Sequence, residues 1–331
     1  MVIDVHAHAM LPGVEALLEN DPRARQARED EAAFLGPESA GPSREMVTRV
    51  APLMLDLDAR LAKMDAQGVD VQVISTSPAH YHAWAPRELA ARLARAIGEE
   101  IAALCARSER LHGLGYAPLQ HPDVAETAVV EAVHGLGLHG VEIPSSGGEH
   151  ELGDPELEPF WAKAEETGAL VFIHPWGCTL GTRLSRHFMS NLVGQPVENA
   201  MAISSLVLSG LLERRPGLRI VVAHGGGYLP FAPGRMDHGW EVRPELASAE
   251  RPSDTLKRLY YDSLTFAPEL LETLAGRVGA DRILLGSDFP FDMGCKDPVG
   301  HVHAAKGLTE AEREAILGAT AAALLGLDAH H

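Results

Sequence analysis

Short apolar runs alternate with longer stretches of helical spacing along most of the chain. The candidate strands are VIDV at 2–5, VDVQVIS at 69–75, HGLGYAPL at 112–119 and HGVEI at 139–143. LVFIH at 170–174, RIVVAH at 219–224, LYYDSL at 259–264 and RILLGSD at 282–288 complete the set. Most are continuous apolar runs, the pattern of parallel strands covered on both faces. Between them, residues 55–68, 86–107, 156–168, 200–217 and 268–279 place apolar side chains three and four apart, which predicts helices with one buried stripe. Gly68, Gly168 and Gly279 close three of these helices, and Arg215-Pro216-Gly217 closes a fourth.

Eight strand–helix repeats predict an α/β fold, a (β/α)8 TIM barrel. An open doubly wound sheet is the competing arrangement, but no GxGxxG fingerprint follows the first strand. Residues 10–54 interrupt the repeat. They are polar, charged and punctuated by Gly and Pro, and they read as an insertion after strand one, either a lid over the catalytic face or a surface excursion. No internal repeat or linker divides the chain, so residues 1–331 read as a single domain.

Composition narrows the function. The net charge of −18 argues against a nucleic-acid partner. No run approaches the roughly 18 apolar residues of a membrane span, and Asp4 sits where a secretory leader would be apolar. The expectation is a cytoplasmic protein without a membrane partner. Cys105, Cys178 and Cys295 are far apart and form no CxxC pair, which argues against a disulfide framework or a thiolate zinc site. Seventeen histidines are more informative, because imidazole is the commonest metal ligand.

Their positions coincide with strand ends. His6 and His8 close strand one, His174 strand five and His224 strand six, while Asp288 closes strand eight. In a barrel of parallel strands these C-terminal ends share one mouth. In extended backbone, positions i and i+2 face the same side, so His6 and His8 can offer two nitrogens to one ion. A third imidazole and a carboxylate would complete the ligand set of a catalytic divalent metal such as Zn, with a position left for water.

The segments DVHAH, FIHPW, VVAHGGGYLPF, GRMDHGW and LLGSDFPF resemble the amidohydrolase superfamily. More narrowly they resemble its decarboxylase branch, typified by 2-amino-3-carboxymuconate 6-semialdehyde decarboxylase, for which GRMDHGWEVRPEL is specific. The resemblance implies a (β/α)8 barrel with one divalent metal, most often Zn2+ with Mn2+ as the variant, and no organic cofactor. It makes His6, His8, His174 and Asp288 the metal ligands and His224 the acid/base. It makes Arg235 the anchor of a small-molecule carboxylate, reaching in from a neighbouring subunit, so a homodimer or higher homo-oligomer is implied. An arginine suits that task because its fork offers two parallel N–H donors. The strand HGVEIPSSGG carries Glu142 and no lysine that could bridge two metals, which favours one ion.

The chain also departs from the branch. FMSNLVGQP at 188–196 has Phe188 and Asn191 where the family carries tryptophan, and a second family arginine has no register-matched counterpart near Arg44 and Arg49. Trp176 and Phe188 are the candidate pocket aromatics; packing explains Trp176 equally well. His80, His82 and His187 either fill the gaps or face solvent. The resulting expectation is a metal-dependent, non-oxidative decarboxylase of an unsaturated or aromatic acid, using a metal-bound water and a histidine acid/base. The alternative is a hydrolase or hydratase acting on a ring-cleavage product, lactone or amide with the same site.

Overall fold

The computed structural model describes residues 1–246 and 248–327. Its strands are β1 (Ile3–Ala9), β2 (Val71–Thr76), β3 (Leu111–Gly113), β4 (Gly115–Tyr116), β5 (Gly140–Ile143), β6 (Leu170–Ile173), β7 (Arg219–Val222), β8 (Tyr260–Asp262) and β9 (Ile283–Leu284). They pair in parallel as two runs, β1-β2-β3 and β4 through β9. β3 and β4 are two pieces of one stave, split at Leu114, whose N–H donates to the Ile74 carbonyl at 2.9 Å. At the other seam Val5 N–H donates to Leu285 and His8 N–H to Phe289, at 2.9 and 2.8 Å, and Ala7 bridges Phe289 in parallel. The staves thus close into the expected (β/α)8 barrel. Every residue of β1, β2, β5 and β6 is buried, including the polar Asp4, His6, His8, Gln72 and Glu142 that they carry among apolar neighbours. Gly140 is required where β5 meets β6, since a Cβ there would lie 1.9 Å from the Leu170 carbonyl oxygen.

The surface-excursion reading of residues 10–54 is wrong. They form α1 (Pro12–Leu18), α2 (Pro22–Leu35) and α3 (Pro37–Leu55), with Val14, Leu18, Ala24, Val50 and Met54 buried. Pro12, Pro22 and Pro37, which look like breaks in the sequence, each open a helix, where a missing N–H costs nothing, while Pro42 and Pro52 lie inside α3. These helices reach the loops that follow three strands on the C-terminal face of the barrel. Glu15 meets His80 at 3.1 Å, Gly36 sits against the Ser185 backbone, and Arg49 approaches Asp292 at 4.0 Å.

The outer helices α4 (Leu57–Gln67), α5 (Arg87–Cys105) and α7 (Glu158–Thr167) follow the predicted apolar stripes, and α6 (Pro122–Val130) lies outside the predicted stretches. The single helix expected at 200–217 is instead α8 (Gln195–Leu208) and α9 (Leu211–Arg214), because Gly210 takes the left-handed conformation at φ 70°. Beyond β7 lies α10 (Gly234–Val242), which carries Arg235. Among the described residues, no helix is long and apolar enough to cross a membrane.

Candidate metal centre at the mouth of the barrel

β1 does not run evenly beside β2. Its register slips between Asp4 and Ala7, a bulge that re-aims His6. The Asp4 carboxylate accepts the His6 N–H at 3.1 Å and also takes the Ser287 N–H and hydroxyl at 3.0 and 2.6 Å. One buried acid therefore ties the histidine strand to the segment that leads into Asp288.

Both N-terminal imidazoles have their outer nitrogens fixed. His6 Nδ1 donates to Asp262 at 2.7 Å and His8 Nδ1 donates to the Thr76 carbonyl at 2.9 Å. Those bonds leave the two Nε2 atoms as bare acceptors, 3.2 Å apart. The inner oxygen of Asp288 lies 3.4 Å from His6 Nε2 and 3.2 Å from His8 Nε2. His174 packs its ring 4.9 Å from both, and His224 Nε2 lies 3.7 Å from the other Asp288 oxygen.

Lone pairs converging in a dry site repel unless a cation sits among them. Neither His174 nitrogen has a hydrogen-bond partner, nor does Asp288 Oδ1, and all three atoms are buried. Two ligands bound at about 2.0–2.1 Å in tetrahedral geometry lie about 3.3 Å apart, close to the separations seen here. The residues therefore fit a divalent ion. Donor atoms of His6, His174, His224 and Asp288 all fall within 4.8 Å of one another, so this set contains His224 where the sequence reading put His8.

The carboxylates make the field at His6 favour positive charge. Burial works against a charged His6, yet Asp288 and Asp262 outweigh it and push its pKa up to about 10. Burial, reinforced by His8, His6 and His224, drives His174 well below the ordinary histidine value. Burial also raises Asp288, but the surrounding imidazoles, His6 first, pull it well below the ordinary carboxylate range.

Outside this cluster the predicted residues fare differently. Trp176 follows His174 closely in the chain but is 40% exposed. Phe188 is half-buried and left-handed at φ 56°, and Arg235 is exposed on α10. His187 faces solvent, whereas His80 is buried between Thr76 and Glu15, which corrects the solvent-facing reading of that residue. Three contributors were missed. Asp262 ends β8, a stretch that reads in sequence as one more core strand. Phe291 stands 5.4 Å from the His8 ring and walls the site. Glu142 was noted only as an acid; it is fully buried and accepts from Ser75 at 2.5 Å and from Tyr81, with His8 Nδ1 3.9 Å away. Burial raises its pKa, against the opposing pull of His8 and the two hydroxyls.

The amidohydrolase family profile matches residues 3–327. The 2-amino-3-carboxymuconate-6-semialdehyde decarboxylase of Dictyostelium discoideum is 34% identical over 277 residues, 82% of this chain and 77% of that protein. The gamma-resorcylate decarboxylase of a Rhizobium species is 29% identical over 297 residues, 83% of this chain and 89% of its own. Among solved structures, 5-carboxyvanillate decarboxylase from Sphingomonas paucimobilis superposes with a TM-score of 0.85 at 23% identity, covering 99% of both chains. The corresponding enzyme from Novosphingobium aromaticivorans, solved with manganese, gives 0.84 at 21% identity, covering 99% of this chain and 96% of its own. With strand-end histidines gathered at one mouth and a profile spanning nearly its whole length, the chain belongs to the amidohydrolase family, in its decarboxylase branch.

Proposed function

We propose that the protein is a metal-dependent, non-oxidative decarboxylase of an aromatic or unsaturated carboxylic acid. The observation that carries this reading is the set of bare, buried acceptors at His6, His8, His174 and Asp288 with His224 at its edge. His6, His8, His174 and Asp288 would hold one divalent ion, and the imidazole-rich set favours Zn2+, with Mn2+ as the alternative. Such an ion supplies Lewis-acid charge that stabilises negative charge building on the substrate.

His224 handles the proton. Its side chain is 13% exposed, enough to meet a substrate, while Asp288 lies 3.7 Å from Nε2. Delivery of that proton to the carbon bearing the carboxylate breaks the conjugation there. The C–C bond then cleaves, its electron pair restores the π system, and CO2 leaves. An imidazole serves because its ordinary pKa lies near working pH. Phe291 walls the site, and Trp176 and Phe188 supply further aromatic surface on the loop after β6.

Arg235 would bind the substrate carboxylate from a second subunit. Its exposure on α10 supports that reading, as do the neighbouring exposed apolar groups Val242, Tyr228 and Leu192, the last two joined by a 3.5 Å hydrogen bond. We therefore infer a homodimer. The free thiols of Cys105, Cys178 and Cys295 suit a reducing, cytoplasmic setting.

The direct test is CO2 release from 2,6-dihydroxybenzoate, 5-carboxyvanillate and 2-amino-3-carboxymuconate 6-semialdehyde. Chelation should abolish turnover, and Zn2+ or Mn2+ should restore it. Substrate consumption without CO2 would replace this reading with hydrolysis or hydration. The shared site has its own check, made by mixing inactive Arg235→Ala and His224→Ala subunits. Hybrid dimers should regain about a quarter to a half of wild-type activity; no recovery after verified subunit exchange would put Arg235 and His224 in the same subunit's site.

A further inference from the structure

We propose that Asp262 is a positioning residue that couples His6 to His224, so that one carboxylate orients an ion-holding ring and pins the turn carrying the acid/base. The inference rests on the roles given to those two histidines above. Asp262 is fully buried at the end of β8. Its Oδ2 accepts from His6 Nδ1 at 2.7 Å and from the His224 backbone N–H at 2.9 Å. Its Oδ1 accepts from the N–H groups of Gly225 and Leu264 at 2.7 and 3.1 Å. A carboxylate offers about four acceptor directions, and all four are in use.

Three of those donors are backbone N–H groups, which cannot accept, and each oxygen takes at least one of them. The group must therefore be an acceptor at both atoms, a requirement that an amide NH2 does not meet. On one side the bond to His6 fixes the tautomer that leaves Nε2 bare, the role outer carboxylates play for ligating imidazoles. On the other side it holds His224 at φ 55°, followed by Gly225 at 59° and Gly226 at 76°. His224 is the one residue of these three with a side chain, and left-handed backbone disfavours side chains unless the surroundings enforce it. Successive N–H groups turned toward one anion supply that enforcement.

Asp262→Asn tests this with little change in shape, because its NH2 must face either His6 and His224 or Gly225 and Leu264, donor against donor. Metal affinity, read by competition with a chromophoric chelator, should weaken about 10–100-fold. At saturating metal kcat should still fall about 100-fold, with KM changed less than about threefold. In a His224→Ala background the same substitution should lower kcat by less than about threefold while still weakening metal binding. Asp262→Glu, which keeps the charge, should recover part of both losses and covers the case in which the amide variant folds poorly. Unchanged metal affinity in folded Asp262→Asn overturns the link to His6. A kcat loss undiminished in the His224→Ala background overturns the link to His224. The chelator measurement needs no substrate, so a wild type that releases no CO2 condemns the proposed reaction while leaving the His6 half of this inference readable.

Discussion

His224→Ala should retain one divalent ion per protomer and lose about three orders of magnitude in kcat, whereas His6→Ala should lose both ion and turnover. The comparison is needed because the geometry admits two ligand sets. His6, His174, His224 and Asp288 bring their donor atoms within 4.8 Å of one another, yet His8 Nε2 lies 3.2 Å from both His6 Nε2 and the inner Asp288 oxygen. Two observations favour His8 as the ligand. Its Nδ1 is bonded to the Thr76 carbonyl, so the ring presents its bare nitrogen inward, and its side chain is fully buried. His224 approaches only the outer Asp288 oxygen, at 3.7 Å, and keeps some exposure toward the mouth. A positioned acid/base contributes about 100- to 10,000-fold, almost all of it in the transition state, so KM should move little. Metal analysis after gel filtration, with kcat and KM on the same samples, decides the matter. If His224→Ala emerges without its ion, His224 is a ligand and the proton must come from elsewhere.

Much of this centre was legible before any coordinates, for a physical reason. A parallel barrel brings the ends of all its strands to one rim, so His6, His8, His174, His224 and Asp288 could be gathered by counting strands. What escaped notice depends on backbone detail or on contacts remote in sequence. The bulge between Asp4 and Ala7 leaves no mark in VIDVHAH. Asp262 lies in a run resembling any core strand, and its partners His6 and His224 are 256 and 38 residues away. The helix α2 buries only Ala24 and is set by its Asp21 cap and Pro22 rather than by an apolar stripe, so hydrophobic periodicity passed over it. His80 looked exposed because nothing in its neighbourhood foretells that Glu15, on a helix of the insertion, would cover it.

Arg60→Ala should destabilise the protein by about 3–5 kcal/mol, the cost of breaking a buried ionic network from one side. Arg60 projects from α4 and is 1% exposed. Its guanidinium donates to the Gln72 side-chain oxygen at 2.8 Å and to the His8 carbonyl at 2.5 Å, and lies 4.8 Å over the Phe289 ring. Gln72 in turn donates to Asp4 at 3.0 Å, so charge passes through one amide to the acid that secures the β1 bulge. Burial lowers the Arg60 pKa to about 10, with Asp4 opposing, and the side chain stays charged at neutral pH. Alanine would strand the His8 carbonyl and the Gln72 oxygen, each worth about 1–3 kcal/mol when left unpaired, and would leave Asp4 with one cation fewer, His6 remaining. Arg60→Met separates these effects from lost volume, since it refills most of the space and should still cost at least about 2 kcal/mol. Adding Asp4→Asn to Arg60→Met should cost less than Asp4→Asn does alone, because the stranded charge is then gone. Urea unfolding of the metal-loaded variants measures all three. A loss below about 1 kcal/mol in Arg60→Met would mean that packing, not the buried charge, holds His8 in place.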